Sequence, residues 1–371
     1  MQLAKTDNYK RSASIGQIHQ LSDSHRGVQL LGVQNLGELI LKRKISMEEL
    51  SGRTLTIDAL NYLYAFLSVI RQPDGTPLTD GKNRVTSHLS GVFYRTINLF
   101  ESNIKPIYVF DGEPPLLKTD TIKERHELRE EARMKWEEAL NVGDITAARK
   151  FAQFSSRLTD AMIRESEDLL EFLGVPWIRA PSEGEAQAAY MTQKGEAWST
   201  GSQDYDSILF GSPRLIRNIV ISGRRKLPSK NVYVKIEPEL VDSQESLKNL
   251  DVTREQLVEI ALVLGTDFNP GIKGIGPKTA LKLIKSYGSA ESALKEKGIM
   301  PDAPYDEVRE IFLSPRVTDK YELKFGQLNK EKIVRLLVDE HDFSLERVQI
   351  ALKRIEEVSK TVKPTGLEQW F

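Results

Sequence analysis

Seven carboxylates in this chain stand where chemistry could use them: Asp58, Asp111, Glu183, Glu185, Asp204, Asp206 and Asp267. Asp58 and Asp111 close residues 53–58 (RTLTID) and 107–111 (IYVFD), which read as short buried strands. Glu183 and Glu185 open a helix, Asp204 and Asp206 share the turn SQDYDS, and Asp267 follows an apolar helix in LGTDFNP. Hard oxygen donors of this kind suit Mg2+ or Mn2+. So many acids converge only where cations offset their repulsion. A pair of ions about 4 Å apart would activate water and stabilise the leaving oxygen in phosphodiester hydrolysis. Taken singly, each acid also has a structural alternative. Ser182 to Glu185 fits a capping box, Asp204 and Asp206 could shape a turn, and Asp267 could cap a helix.

The elements that must position these acids alternate. Residues 61–70 and 87–100 carry helix-period apolar positions between the two strands. Strands alternating with helices predict an α/β fold with a mostly parallel central sheet flanked by helices. Such sheets carry their sites at the carboxyl ends of strands, where Asp58 and Asp111 fall. Residues 118–154 form a long, highly charged helical stretch. A second α/β stretch follows: a strand at 175–178, a helix from 182, a strand at 197–200 and the loop at Asp204. Residues 218–236 read as a hairpin turning at GRR (223–225). Thereafter the pattern is mostly helical to about residue 360, ending in the tail KPTGLEQWF.

Composition narrows the classes. The 371 residues, 40% hydrophobic and 28% charged, suffice for one large domain or two to three smaller ones. No run approaches the ~18 apolar residues of a membrane span, and the polar N-terminus lacks a signal-peptide core, so a cytoplasmic location is expected. With no cysteine there is no disulfide, thiolate zinc site or cysteine nucleophile. The net charge of −1 conceals local basic stretches. Residues 214–230 hold six bases and no acid, and residues 271–300 hold six lysines against Glu291 and Glu296. Residues 116–150 balance eight bases with eight acids, so only the orientation of that helix could present a basic face.

The segments IDALNYLY, IRQPDGTPL, TSHLSGVFYRTINL, IKPIYVFDGEPP, PSEGEAQAAY, SQDYDSILFGSP, SGRRKLP and LGTDFNPGIKGIGPKTAL resemble, in this order, those of archaeal-type flap endonucleases, over residues 32–371. The resemblance implies that the seven acids hold two Mg2+ ions, with Mn2+ able to substitute. Asp111, Glu183 and Glu185 would hold one ion, Asp204 and Asp206 the other, with Asp58 and Asp267 acting through water. It implies that Lys118 and Arg125, at the base of a helical arch, stabilise developing charge in catalysis. Lys118, Arg125, Arg129 and Arg133 share one side of that helix. Tyr64 would stack a base beside the scissile bond, and Arg71 is a further candidate DNA contact. GIKGIGPKTA matches a helix-hairpin-helix in which Gly274 and Gly276 let backbone amides approach a phosphate beside Lys278. The family binds a K+ there. At the C-terminus Leu367, Trp370 and Phe371 fit a peptide that docks on the sliding clamp (PCNA), with Pro364 where the family has glutamine.

The organisation expected is therefore a disordered extension or misassigned start at 1–31 and a nuclease domain at 32–355. The arch would span about 112–160, the helix-hairpin-helix about 257–290, and a clamp-binding tail 356–371. The activity expected is hydrolysis of branched double-stranded DNA near a 5′ flap junction, with a 5′–3′ exonuclease activity. It would serve replication (Okazaki fragment processing) and repair at the archaeal nucleoid. A processive 5′ exonuclease, a non-catalytic DNA-binding scaffold and a metal-dependent phosphatase are the alternatives.

Overall fold

Strand β2 (Thr54–Asp58) and strand β3 (Lys105–Phe110) are buried on both faces, as strands covered by helices on both sides must be. Alternation along β3 divides the interior. Tyr108 and Phe110 enter one core with Tyr62, Phe66 and Phe93, while Ile107 and Val109 enter another with Ile178 and Met191. The computed structural model describes residues 33, 35–220, 223–226, 233–299 and 303–361. The extension at 1–31 and the tail residues Pro364, Leu367, Trp370 and Phe371 lie outside these.

In chain order the strands are β1 (Arg43–Lys44), β2, β3, β4 (Trp177–Arg179), β5 (Ser199–Gly201), β6 (Arg214–Arg217), β7 (Gly223–Lys226), β8 (Tyr233–Ile236) and β9 (Glu239–Asp242). Seven form one sheet in the order β1-β9-β6-β5-β2-β3-β4. Pairing is parallel from β6 through β5, β2 and β3 to β4, and antiparallel at the edge formed by β6, β9 and β1. The mostly parallel sheet is as expected; its antiparallel edge was not read, because strands of two to four residues carry too little period to register.

Helices α1 (Ala59–Val69) and α2 (Ser87–Glu101) link β2 to β3. The charged stretch folds as α3 (Thr119–Asn141) and α4 (Ile145–Ala152), and α5 (Asp160–Phe172) leads into β4. Then come α6 (Gly184–Gln193), α7 (Asp206–Leu209), α8 (Ser243–Leu250), α9 (Arg254–Leu264), α10 (Pro277–Tyr287), α11 (Ala290–Glu296), α12 (Tyr305–Leu313), α13 (Lys330–Val334) and α14 (Leu345–Thr361).

Three expectations need correction. The hairpin exists, but Gly223 to Arg225 lie in its first strand, with Gly223 opposite Ile236 and Lys226 opposite Tyr233. The two strands are joined by residues 227–232, which lie outside the described residues. Residues 314–329 form neither helix nor strand. Their backbone is satisfied from outside: the Gln187 amide donates to the Thr318 carbonyl (2.9 Å) and accepts its N–H (2.8 Å). Finally, α14 runs through residue 355 with Val348, Ala351, Leu352 and Ile355 buried, so the domain end placed there falls inside a helix.

Candidate metal centre

All seven predicted carboxylates line one cavity of about 270 Å³, together with Lys118, Arg125 and Arg129. They arrive from five places in the fold. Asp58 ends β2 and caps α1, accepting the Asn61 N–H at 3.1 Å. Asp111 follows β3, and its Oδ1 accepts the Gly184 N–H at 2.6 Å. That approach requires glycine, since a Cβ at 184 would stand 2.7 Å from the same oxygen. Glu183 and Glu185 flank Gly184 at the start of α6. Among the described residues no side chain caps this helix, and the Ser182 hydroxyl donates instead to the Glu113 carbonyl, so the capping-box alternative is not realised. Asp204 and Asp206 lie beyond β5, with Asp206 accepting the Val33 N–H at 2.9 Å. Asp267 sits between α9 and α10 and caps neither.

The charge balance of this cavity is unusual. Burial, reinforced by repulsion from Asp111, raises the Asp58 carboxyl to about 7. Burial with Asp58 and Asp267 raises Asp204 to about 7, and burial with Asp267 and Asp204 raises Asp206 to about 8. Glu185 is driven well up by burial and by Asp58, and its buried Oε1 has no hydrogen-bond partner among the described residues. Lys118 is largely buried, which would lower its pKa, but Glu183, Asp111 and Asp267 more than offset this and hold it charged. Its ammonium bonds Glu183 and stands 3.7 Å from Asp267, which also pairs with Arg125.

Among the described residues no three acids are gathered tightly enough to grip a metal ion as they stand. With Lys118 among them, the carboxylates are spread rather than closed. The donor set nevertheless fits divalent cations: it is all oxygen, more acidic than its side-chain cations can balance, and contains an orphaned carboxylate oxygen.

The arch cations diverge. Lys118 and Arg125 enter the cavity, Arg129 lies over the Tyr64 ring at 4.4 Å, and Arg133 pairs with Glu130 and Glu137 on the exposed side. Arg71 donates to Leu67 O, Gly75 O and Ser156 Oγ at 2.7, 2.7 and 2.9 Å, leaving two of its five N–H groups for any phosphate. Gly274, Gly276 and Lys278 are exposed in the connection from α9 into α10. Gly274 has φ +85, and a Cβ at either glycine would meet nothing within 4 Å among the described residues. Sequence reading missed Asn61 and Ser202, which bond Asp204 and Asp58. The signal for Asn61 was available: a polar residue on the apolar face of α1, three positions after a capping aspartate.

The XPG N-terminal domain matches residues 31–132 and the XPG I-region residues 174–267, which together carry all seven acids. Flap endonuclease 1 of Pyrococcus abyssi is 52% identical over 337 residues, covering 91% of this chain and 97% of the relative. That of Ignicoccus hospitalis is 52% identical over 347 residues, covering 92% and 99%. The chain belongs to the flap endonuclease family.

The solved flap endonuclease-1 from Methanococcus jannaschii matches with a TM-score of 0.71 at 44% identity, covering 88% of this chain and 98% of that one. The catalytic core of Rad2, solved with a DNA substrate, shares the fold at 24% identity and a TM-score of 0.63. As a member of this family the chain is a nuclease that hydrolyses phosphodiester bonds of DNA in replication and repair, and its family is divalent-metal dependent. The scaffold and phosphatase alternatives do not survive this finding.

Proposed function

We propose that this chain is a 5′ flap endonuclease whose catalytic centre is the seven-acid cavity, working with two Mg2+ ions. The observation that carries the proposal is the convergence of seven carboxylates and two arch cations on one cavity at the carboxyl ends of parallel strands. Asp111, Glu183 and Glu185 would hold one ion and Asp204 and Asp206 the other, with Asp58 and Asp267 reaching them through water. Bound there, such ions supply an activated water and charge to stabilise the leaving oxygen.

The chain's own groups do the rest. The Gly184 N–H fixes the orientation of Asp111. Lys118 and Arg125 exchange their contacts with Glu183 and Asp267 for oxygens of the scissile phosphate, where they neutralise developing charge. A base stacking on Tyr64 takes the place now held by the Arg129 guanidinium. Gly274, Gly276 and Lys278 hold the duplex by its backbone with a K+ beside them, and Arg71 adds a contact near the end of α1. Such contacts read shape and phosphate position rather than sequence, which makes binding salt-sensitive. The tail residues Leu367, Trp370 and Phe371 dock on the sliding clamp, recruiting the enzyme to the nucleoid. A 5′–3′ exonuclease activity uses the same centre.

Cleavage of a labelled double-flap DNA tests the proposal. With Mg2+ the expected product is a single incision near the junction, with none in EDTA and far slower loss from blunt duplex. Equal rates on flap and blunt ends would instead favour a processive exonuclease.

A further inference from the structure

Asn61 is 7% exposed on the inner face of α1, between the two halves of the acid cluster. It makes three hydrogen bonds. Its backbone N–H donates to Asp58 Oδ1 at 3.1 Å, its Nδ2 donates to Asp204 Oδ2 at 2.6 Å, and its Oδ1 accepts the Gln203 N–H at 3.2 Å. Ser202 completes the strut: its hydroxyl donates to Asp58 Oδ2 at 3.2 Å and accepts the Asp204 N–H at 3.2 Å. The loop after β5, which carries Asp204 and Asp206, is thus tied to α1 through one side-chain amide.

An amide meets the need because it offers a donor and an acceptor without charge. Leucine offers neither, lysine cannot accept from Gln203, and aspartate would set a further negative charge against Asp204. Asp58 and Asp204 repel each other, so the Asp204 carboxylate needs a fixed donor to hold its direction.

We propose that Asn61 is a positioning residue for the metal centre: by fixing Asp204 and its loop it sets the affinity for the cation that Asp204 and Asp206 hold. This rests on the assignment of those two acids as ligands. Removing a group that orients a ligand costs roughly 10- to 100-fold in metal affinity.

The test is Mn2+ binding followed by electron paramagnetic resonance, without DNA, on wild type, Asn61→Leu, Asn61→Ala and Asp206→Ala. Single-turnover flap cleavage is then measured against Mg2+ concentration. Asn61→Ala adds no bulk and keeps the main-chain bond to Asp58, so it decides the matter if Asn61→Leu folds poorly. Both Asn61 variants should bind Mn2+ at least about ten-fold more weakly. The Mg2+ needed for half-maximal rate should rise in proportion, while KM for flap DNA at saturating Mg2+ stays unchanged. If Asp206→Ala loses Mn2+ and the Asn61 variants match wild type, the role of Asn61 is overturned and the ligand assignment stands. If Asp206→Ala itself binds Mn2+ like wild type, the ligand assignment fails and the Asn61 proposal with it.

Discussion

The backbone N–H of Val33 donates to Asp206 Oδ1 at 2.9 Å, so the chain enters the nuclease fold against one of the acids of the cavity. The XPG match begins at residue 31, two positions earlier. A protein starting at Gly32 would bring a free α-amine to this point, adding positive charge beside Asp206. We predict that deleting residues 1–31 preserves the melting temperature and maintains or raises flap cleavage. A truncated protein that folds but loses cleavage would contradict this.

Lys118 and Arg125 are proposed to act on charge that grows in the transition state, so they belong to the rate more than to affinity. Lys118→Ala and Arg125→Ala should each slow single-turnover cleavage by about 100-fold, the usual cost of one such donor. Flap affinity should change by only a few-fold. A loss confined to affinity would make them ordinary phosphate anchors.

Gly276 separates folding from DNA contact. It has φ −94, and a Cβ there would meet nothing within 4 Å, so the protein itself tolerates alanine. We predict that Gly276→Ala leaves the melting temperature unchanged but weakens duplex binding about ten-fold, or ~1.4 kcal/mol, because the methyl blocks close approach of a phosphate. Unchanged duplex affinity would remove this connection from the DNA interface.

A buried polar network ties the C-terminal segment to the α/β core, and it should respond to acid. Glu165 bonds His88 Nε2 at 2.9 Å and lies 3.5 Å from His341 Nε2, while His341 Nδ1 meets Asp80 at 3.2 Å and Arg84 meets Asp80 at 2.7 Å. Burial alone would raise Glu165, but bonds from His341 and His88 outweigh it and hold the carboxyl at about 2, against an ordinary 4.5. Asp80 is likewise held at about 2, by bonds from Arg84 and Lys82 that outweigh its burial. A depressed folded-state pKa means that the unfolded chain binds the proton first, so this stabilisation is complete above about pH 4.5 and is lost as pH falls toward 2. Glu165→Gln should cost about 1–2 kcal/mol at neutral pH, by the worth of a charged hydrogen bond. The difference should shrink between pH 4.5 and 2, measured by denaturant unfolding. A constant difference across that range would contradict the assignment.

The sequence exposed the acids because each sits at a strand end, a helix start or a turn, where local pattern alone places it. What it did not expose depends on distant neighbours. Nothing local says that Asn61 meets Asp204, 143 positions away, or that Arg129 turns to Tyr64 while Arg133 turns outward. The short antiparallel strands β1 and β9 are chosen by their partners rather than by propensity. The irregular run at 314–329 is held by Gln187, Tyr190 and Lys194 of α6 and its C-terminal cap, a tertiary effect that overrides local preference.

The central claim is that the acid cavity is the metal-dependent catalytic centre, and Asp206 tests it most directly. Asp206 is 5% exposed and lies among acids that raise its own carboxyl, so alanine removes a ligand while relieving repulsion, and the fold should survive. Single-turnover cleavage of a double-flap DNA at saturating Mg2+ should fall by at least about 1,000-fold in Asp206→Ala, the ~4 kcal/mol expected if one cation's charge stabilisation is lost. Flap binding measured in Ca2+ should stay close to wild type. Near-normal cleavage by Asp206→Ala would contradict the account.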